Sequence, residues 1–376
     1  MPLTPKERML AAYRGEASDR IPVAPEFWYY IGAKVLGVSM ETFEREGLLG
    51  EGLLAAFRKY DTDGWGIAFP APVWGDRTVR ENAARLPDGR LRVETLMRRG
   101  RQEFSTVTVY DKTDPSWVAK PMAVTEEEIP EAADLMLSDD VRYDTDAMTR
   151  LYERVGGGYL CEVWTGCPFF DFIEGLAGFE TAISYFLEED EDTLLALRER
   201  YTLHQIRMID ECIERTPFES YVIGCSSSCN SLIGPKLWRK WDKPYIARIA
   251  EHLHARGKLL HVHFHGKSIE TAEDFSEIGI DCVCPFERGP GGDVNTPEDL
   301  RHVRNALGGR TAFNGNLHTT NTLLTGTPDD VRSEVRELLE AFAGCPRFIL
   351  GTGDQVAPDT PEENLFAMVE EARRFR

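Results

Sequence analysis

Long apolar runs are missing from this chain. No segment approaches the roughly 18 consecutive apolar residues of a membrane-spanning helix, and no early run resembles a signal-peptide core. The expectation is a soluble, cytoplasmic protein with no membrane partner. Basic charge is scarce as well: 43 Lys and Arg stand against 63 Asp and Glu, a formal net charge of −20. Nucleic acids and anionic lipids require basic patches, so neither is expected as a main partner. The eight cysteines do not cluster either. Spread through a large chain, they exclude a disulfide framework, and most suit small buried positions. No Gly-x-Gly-x-x-Gly fingerprint follows a strand, which argues against a dinucleotide-binding open sheet.

What the chain does contain centres on Lys258-Leu-Leu-His-Val-His-Phe-His-Gly266. The run is short, apolar and closed by glycine, which predicts a buried strand. Successive side chains on a strand alternate between faces, so His261, His263 and His265 share one and Leu260, Val262 and Phe264 the other. A helix over Pro235–Arg256 precedes the strand and one over Ser268–Ile278 follows it. In a parallel barrel the apolar face packs on such helices and the histidines look toward the axis, the last two near the C-terminal mouth. A His-x-His pair on one face can offer two nitrogens to one metal ion. A lone histidine is more often a satisfied core group or a helix cap; three in alternation favour a site.

Around this stretch the chain alternates strands and helices. Thr4–Arg14 reads as a helix, with Thr4 as N-cap, Pro5 in the first turn and Glu7 completing a capping box. Ile21 to Glu26 and Gly64–Phe69 read as short strands, with a helix over Leu48–Tyr60 between them. Strands follow at Tyr159–Trp164, Ser220–Cys225, the histidine run, Asp281–Phe286, Arg310–Asn314 and Arg347–Gly351, separated by helical patterns. Counted from Ile21 there are eight, which predicts one (β/α)8 barrel domain over residues 1–376. Residues 77–110, rich in Val, Thr and Arg with turns at Asp88-Gly89 and Gly100, read as an antiparallel insertion at the rim. It covers the mouth or carries an oligomer contact, such as that of a homodimer. Pro115–Pro121 reads as a linker.

The barrel reading gathers the carboxyl ends of the strands at one site: Glu26, Glu162 with Trp164, Cys225, His263 with His265, Cys284 with Glu287, Asn314 with Asn316 and His318, and Asp354. Asp354, past the last strand, is a candidate third ligand beside His263 and His265; the alternative is an Asx turn. Two histidines and a carboxylate leave an open position, the mark of catalytic zinc, and also suit a non-haem iron(II) facial triad. Glu162 can act as acid, base or extra ligand, and His318 can orient substrate or supply a proton. Cys282 and Cys284 alternate on one strand, as thiolate ligands or as small core residues. Cys225-Ser-Ser-Ser-Cys229 either offers backbone N–H groups to a substrate or is a plain turn. Phe27-Trp28-Tyr29-Tyr30 sits in a predicted loop after Glu26, lining the mouth for a flat apolar substrate or packing the N-terminal helix. Glu26, Trp28, Tyr29, Trp164, Cys225 and Asn316 are the candidate substrate contacts.

These motifs resemble the uroporphyrinogen decarboxylase superfamily over nearly the whole chain. The carriers are Arg14-Gly-Glu-Ala-Ser-Asp-Arg-Ile-Pro-Val23, Gly166-Cys-Pro-Phe169, Tyr245, His263-Phe-His-Gly266, Asn314-Gly-Asn316 and Thr360-Pro-Glu-Glu-Asn364. The resemblance implies a (β/α)8 barrel. The decarboxylases of that superfamily grip substrate carboxylates with a pair of arginines after the first strand. Here the loop Pro25–Lys34 has none, so a polycarboxylate would face Glu26 and aromatics. The zinc-dependent, cobamide-linked methyltransferases carry His-x-Cys-Gly after strand five and a further Cys near the last strand. His263 matches their histidine, His265 stands at the first cysteine, and Asp354 stands at the second. A His/His/Asp set is harder than one with two thiolates and should be the stronger Lewis acid toward oxygen.

The resemblance therefore implies zinc on His263, His265 and Asp354, and transfer of an O-bound methyl, that of a methoxyaromatic, to a corrinoid. The chain has no Asp-x-His-x-x-Gly cobalamin signature, so the corrinoid is expected on a partner protein docking at the mouth. Two other readings remain open: a zinc hydrolase or decarboxylase-like lyase on the same barrel, and a barrel kept as a binding module.

Overall fold

The capping box reads directly into structure. In the computed structural model, which describes residues 2–155 and 157–375, Thr4 Oγ1 accepts the Glu7 amide and the Glu7 carboxylate accepts the Thr4 amide, starting a helix over Pro5–Arg14. Seven parallel strands form one curled sheet in the order Trp65–Ala68, Leu160–Trp164, Ser220–Cys225, Leu259–Phe264, Cys282–Pro285, Ala312–Leu317 and Phe348–Thr352. The expected α/β barrel fold is present.

The expected first strand is smaller than its sequence suggests. Val23 makes a single parallel bridge to Leu350. The Ala24 amide donates to Leu350 O, the Leu350 amide to Pro22 O, and the Asp63 amide to Val23 O. Residues 22–24 thus tie the last strand to the first and close the ring. Pro22 and Pro25 have no N–H to extend a ladder, which limits the segment to this stitch.

Residues 77–110 do form antiparallel strands, Thr78–Arg85, Leu91–Arg99 and Gln102–Tyr110. The expected linker at 115–121 is instead a fourth strand, Trp117–Lys120, paired with 107–109. Pro115 and Pro121 flank that strand without interrupting its ladder. A further hairpin-like pair joins Ala71–Trp74 to Val141–Asp144. The aromatic run after Glu26 is not a loop: Trp28–Leu36 is a helix that packs on Leu49–Tyr60. Glycines permit the approach, since a Cβ on Gly52 would lie 2.9 Å from Gly32 Cα. No helix among the described residues is long and apolar enough to cross a membrane.

Asp63 locks the closure. It is fully buried, and its carboxylate accepts from Arg8 Nη1 at 2.9 Å, Arg20 Nη1 at 2.6 Å and the Val23 amide at 2.9 Å. Removing one partner from a buried ion pair leaves the others uncompensated and costs about 3–5 kcal/mol. Asp63→Ala should lower the stability from urea unfolding by about that amount; a loss under about 1 kcal/mol would show that the stitch does not depend on it.

Candidate active site

The histidine strand runs Leu259–Phe264 and has the predicted two faces. Phe264 on the outer face packs edge-on against Trp238 and Phe275 of the flanking helices. His261 and His263 point inward, beneath the indoles of Trp65 and Trp28 at ring-centroid distances of 4.8 and 5.1 Å. Parallel register sets His261 beside Cys282 and His263 beside Cys284.

His263 and His265 meet through their Nε2 atoms, 2.7 Å apart. Their Nδ1 atoms face other partners. His265 Nδ1 lies 2.5 Å from Glu287 Oε1. His263 Nδ1 lies 3.2 Å from Cys284 Sγ and 3.5 Å from Glu26 Oε1. An ionised carboxylate only accepts, so the Glu287 contact places a proton on His265 Nδ1. A neutral imidazole has one N–H, and a ring protonated at Nδ1 presents a bare lone pair at Nε2. An Nε2–H on one ring donating to the Nε2 lone pair of the other makes the 2.7 Å contact a hydrogen bond. A metal ion held by both rings would take the place of that proton. The carboxylate behind the ligating imidazole is the usual support of a metal-bound histidine.

The potential ligand atoms fall into two groups, Glu26 with His263 and Cys284, and His265 with Glu287 and Asp354. Asp354 therefore gathers with His265, and the contact between the two imidazoles links the groups. Glu26 Oε1 is buried and has no hydrogen-bond partner among the described residues. Burial works against charge on Glu26, but His263, Cys284 and the Trp28 indole hold its carboxyl at about 2. Burial likewise opposes charge on His265, yet Glu287, Asp354 and Glu26 raise it to about 9. Asp354 is pushed up by burial against the pull of His265. Three carboxylates around two imidazoles make a site that attracts a divalent cation. Glu26 with His263 and Cys284, and His265 with Glu287 and Asp354, are each donor sets that fit zinc.

Other expected residues take varied positions. Glu162 is fully buried and faces His261, not the mouth: its Oε2 lies 2.8 Å from His261 Nδ1. His318 caps the turn Thr319–Leu324 and bonds Asn321 through both ring nitrogens, while lining a cleft of about 140 Å³ with Glu287, Arg288 and Asp354. Trp28 bonds Glu26 Oε2 at 2.9 Å, and Tyr29 stacks beside it. Trp164 packs over Gly224, where a Cβ would lie 2.2 Å from the indole. Asn316 donates to Phe286 O and Val294 O, bracing the loop that carries Glu287. Cys225 is fully buried beneath its loop, and burial raises its thiol well above the usual value. A larger cavity, about 620 Å³, is lined by Phe43, Phe69, Tyr110, Met148 and Arg150 and touches this cluster only through Tyr29. Of the potential ligand residues, Glu287 and Asp354 line the cleft and none lines that larger space.

The loop after Cys225 rests on two buried carboxylates. Asp171 accepts the amides of Ser226 at 2.7 Å and Ser228 at 2.5 Å, while Asp242 accepts Ser228 Oγ at 2.6 Å and the Phe170 amide at 2.9 Å. Neither residue stood out in the sequence, where each is one acid within a helical pattern. Burial, then neighbouring Asp242, pushes Asp171 up to about 8; burial pushes Asp242 up to about 6 against the Ser228 bond.

A family model described as "Uroporphyrinogen decarboxylase (URO-D)" matches residues 105–375. A uroporphyrinogen decarboxylase from Thermus thermophilus is 31% identical over 138 residues, 37% of either chain. A methylcobamide:CoM methyltransferase, MtbA, from Methanosarcina mazei is 28% identical over 145 residues, 39% of either chain. The chain thus aligns with under two-fifths of the length of these curated relatives. A solved methyltransferase from Methanosarcina mazei superposes with a TM-score of 0.65 at 17% identity, covering 99% of each chain, and shows the shared fold.

The Asp171–Asp242 pair predicts a pH dependence of stability. Raised carboxyl values mean that the fold holds these protons more tightly than the unfolded chain does. Their stabilisation is fully present below the unfolded value of about 3.9 and is lost as pH rises through the folded values. The melting temperature should fall from about pH 4 to about pH 8, and Asp171→Asn should flatten that decline, most visibly between about pH 6 and 8 where Asp242 has already titrated. Equal declines in both proteins would contradict this assignment.

Proposed function

The chain belongs to the uroporphyrinogen decarboxylase family, and from that premise we propose a zinc-dependent methyltransferase. It takes the methyl group of a methoxyaromatic compound and passes it to the cobalt of a corrinoid on a partner protein. The same reading takes residues 1–376 as one barrel domain with the antiparallel sheet as an insertion.

One observation carries the reading: Nε2 of His263 and Nε2 of His265 face each other at 2.7 Å while Nδ1 of His265 faces the Glu287 carboxylate and Nδ1 of His263 faces the Cys284 sulfur. Zinc held there would supply Lewis-acid polarisation of an ether oxygen. The chain's own residues do the rest. Glu287 holds the His265 ring, and Cys284 with Glu26 holds the His263 ring. Asp354 closes the site from beyond the last strand. Trp28 and Tyr29, stacked at a ring-centroid distance of 6.5 Å, offer a face to an aromatic ring. Glu26, Glu287 and Asp354 repel a polycarboxylate, which argues against decarboxylation of a porphyrinogen.

Protein dialysed against zinc should hold one ion per chain. His265→Ala and Asp354→Ala should lose it by more than the roughly 10–100-fold that removal of a supporting partner costs. Mixed with a corrinoid protein in the cobalt(I) state and a methoxyarene, the zinc form should produce methylcobalt absorbance and a phenol. Methanol released without corrinoid would instead identify a zinc hydrolase.

A further inference from the structure

A second polar chain lies below the candidate ligands, and nothing in the reaction uses it directly. It crosses four neighbouring strands. Glu162 is on Leu160–Trp164, Ser220 on the next strand, His261 on the next and Cys284 on the fourth. Tyr13 joins them from the helix Pro5–Arg14. All five residues are 0% exposed.

The contacts are directional. Ser220 Oγ donates to Glu162 Oε1 at 2.7 Å, and the Tyr13 hydroxyl donates to the same oxygen at 3.2 Å. Glu162 Oε2 faces His261 Nδ1 at 2.8 Å, and an ionised carboxylate only accepts, so this nitrogen is the donor. His261 Nε2 then lies 3.1 Å from Cys284 Sγ. The same sulfur lies 3.2 Å from His263 Nδ1. The chain therefore ends on the ring whose other nitrogen faces His265.

Stability alone does not account for this arrangement. Replacing a buried ionic group by apolar residues of similar volume is often neutral or stabilising. The chain does something that apolar packing cannot: it fixes which nitrogen of His263 carries the proton. With the His261 Nδ1 proton given to Glu162, a neutral His261 has a bare Nε2 that takes the Cys284 S–H, the sulfur is left to accept His263 Nδ1–H, and His263 Nε2 presents its lone pair to the mouth.

We propose that Tyr13, Ser220, Glu162, His261 and Cys284 form a positioning relay that sets the tautomer and orientation of His263 and so controls metal affinity without touching the ion. The inference rests on the reading of His263 as a ligand. Glu162 and His261 are then positioning residues, and Cys284 is a support and not a ligand.

The test measures Zn(II) affinity by competition with a chromophoric chelator, and the visible absorption of the Co(II)-loaded protein. Glu162→Gln and Cys284→Ala should each weaken Zn(II) binding about 10–100-fold and shift the Co(II) bands, as expected of a partner behind a ligand. Tyr13→Phe, which removes one of two hydroxyl donors, should have a smaller effect in the same direction. Cys284→Ser keeps an acceptor and should stay within about threefold of wild type. The Cys284 pair decides the matter if Glu162→Gln fails to fold. Wild-type affinity and spectrum in Cys284→Ala, or equal losses in the serine and alanine variants, would overturn the relay. His263→Ala separates the two ideas. If it abolishes binding while the relay variants stay unchanged, only the relay fails; if it keeps wild-type affinity, the metal reading fails first.

Discussion

Two imidazole nitrogens, His263 Nε2 and His265 Nε2, stand 2.7 Å apart with no room for two protons between them. Everything distinctive about this barrel follows from that constraint. His265 has its other nitrogen against the Glu287 carboxylate and His263 has its own against the Cys284 sulfur, contacts that hold both rings in place. A single proton on one Nε2 joins them, and the three nearby carboxylates favour a divalent cation in its place. The potential donors around the two rings are the carboxylates of Glu26, Glu287 and Asp354 and the sulfur of Cys284.

The barrel supplies this geometry through elementary features. Alternation on a strand brings His261 and His263 to one face, and parallel register sets Cys284 beside His263. His265 follows the strand's last residue, where the chain is free to bend the second ring toward the first. Glu287 and Asp354 arrive from loops after two other strands, as sites at the C-terminal face of such barrels are built. Asn316 and Asp171 are two steps removed, one bracing the loop of Glu287 and the other the loop after Cys225. Burial raises the cost of each charge, which is why nearly every buried carboxylate here has a named cation or amide against it.

Much of this was legible in the sequence. The histidine strand, its two faces, the helices around it and the antiparallel insertion follow from periodicity and turn residues alone. Glu26, His263, His265 and Asp354 could be placed at strand ends because such ends share one mouth. Other features left no local signal. Pro22 and Pro25 reduce the first strand to one bridge, which an apolar pattern does not reveal. Trp117–Lys120 is short and flanked by prolines, so it reads as a linker although it completes a sheet. Tyr13 looks like the apolar face of a helix; its hydroxyl meets Glu162 across 149 positions, a contact that only the closed ring creates. Cys284 and Glu287 were visible as strand-end residues, but their place behind the imidazoles depends on side-chain direction, which spacing does not give.

X-ray absorption at the zinc edge of the loaded protein tests the central claim most directly. Zinc on His263, His265 and Asp354 should show nitrogen and oxygen ligands at about 2.0–2.1 Å, with scattering from two imidazole rings and no sulfur. A zinc–sulfur distance of about 2.3 Å would place the ion on Cys284, between Glu26 and the Nδ1 side of His263, and would contradict it.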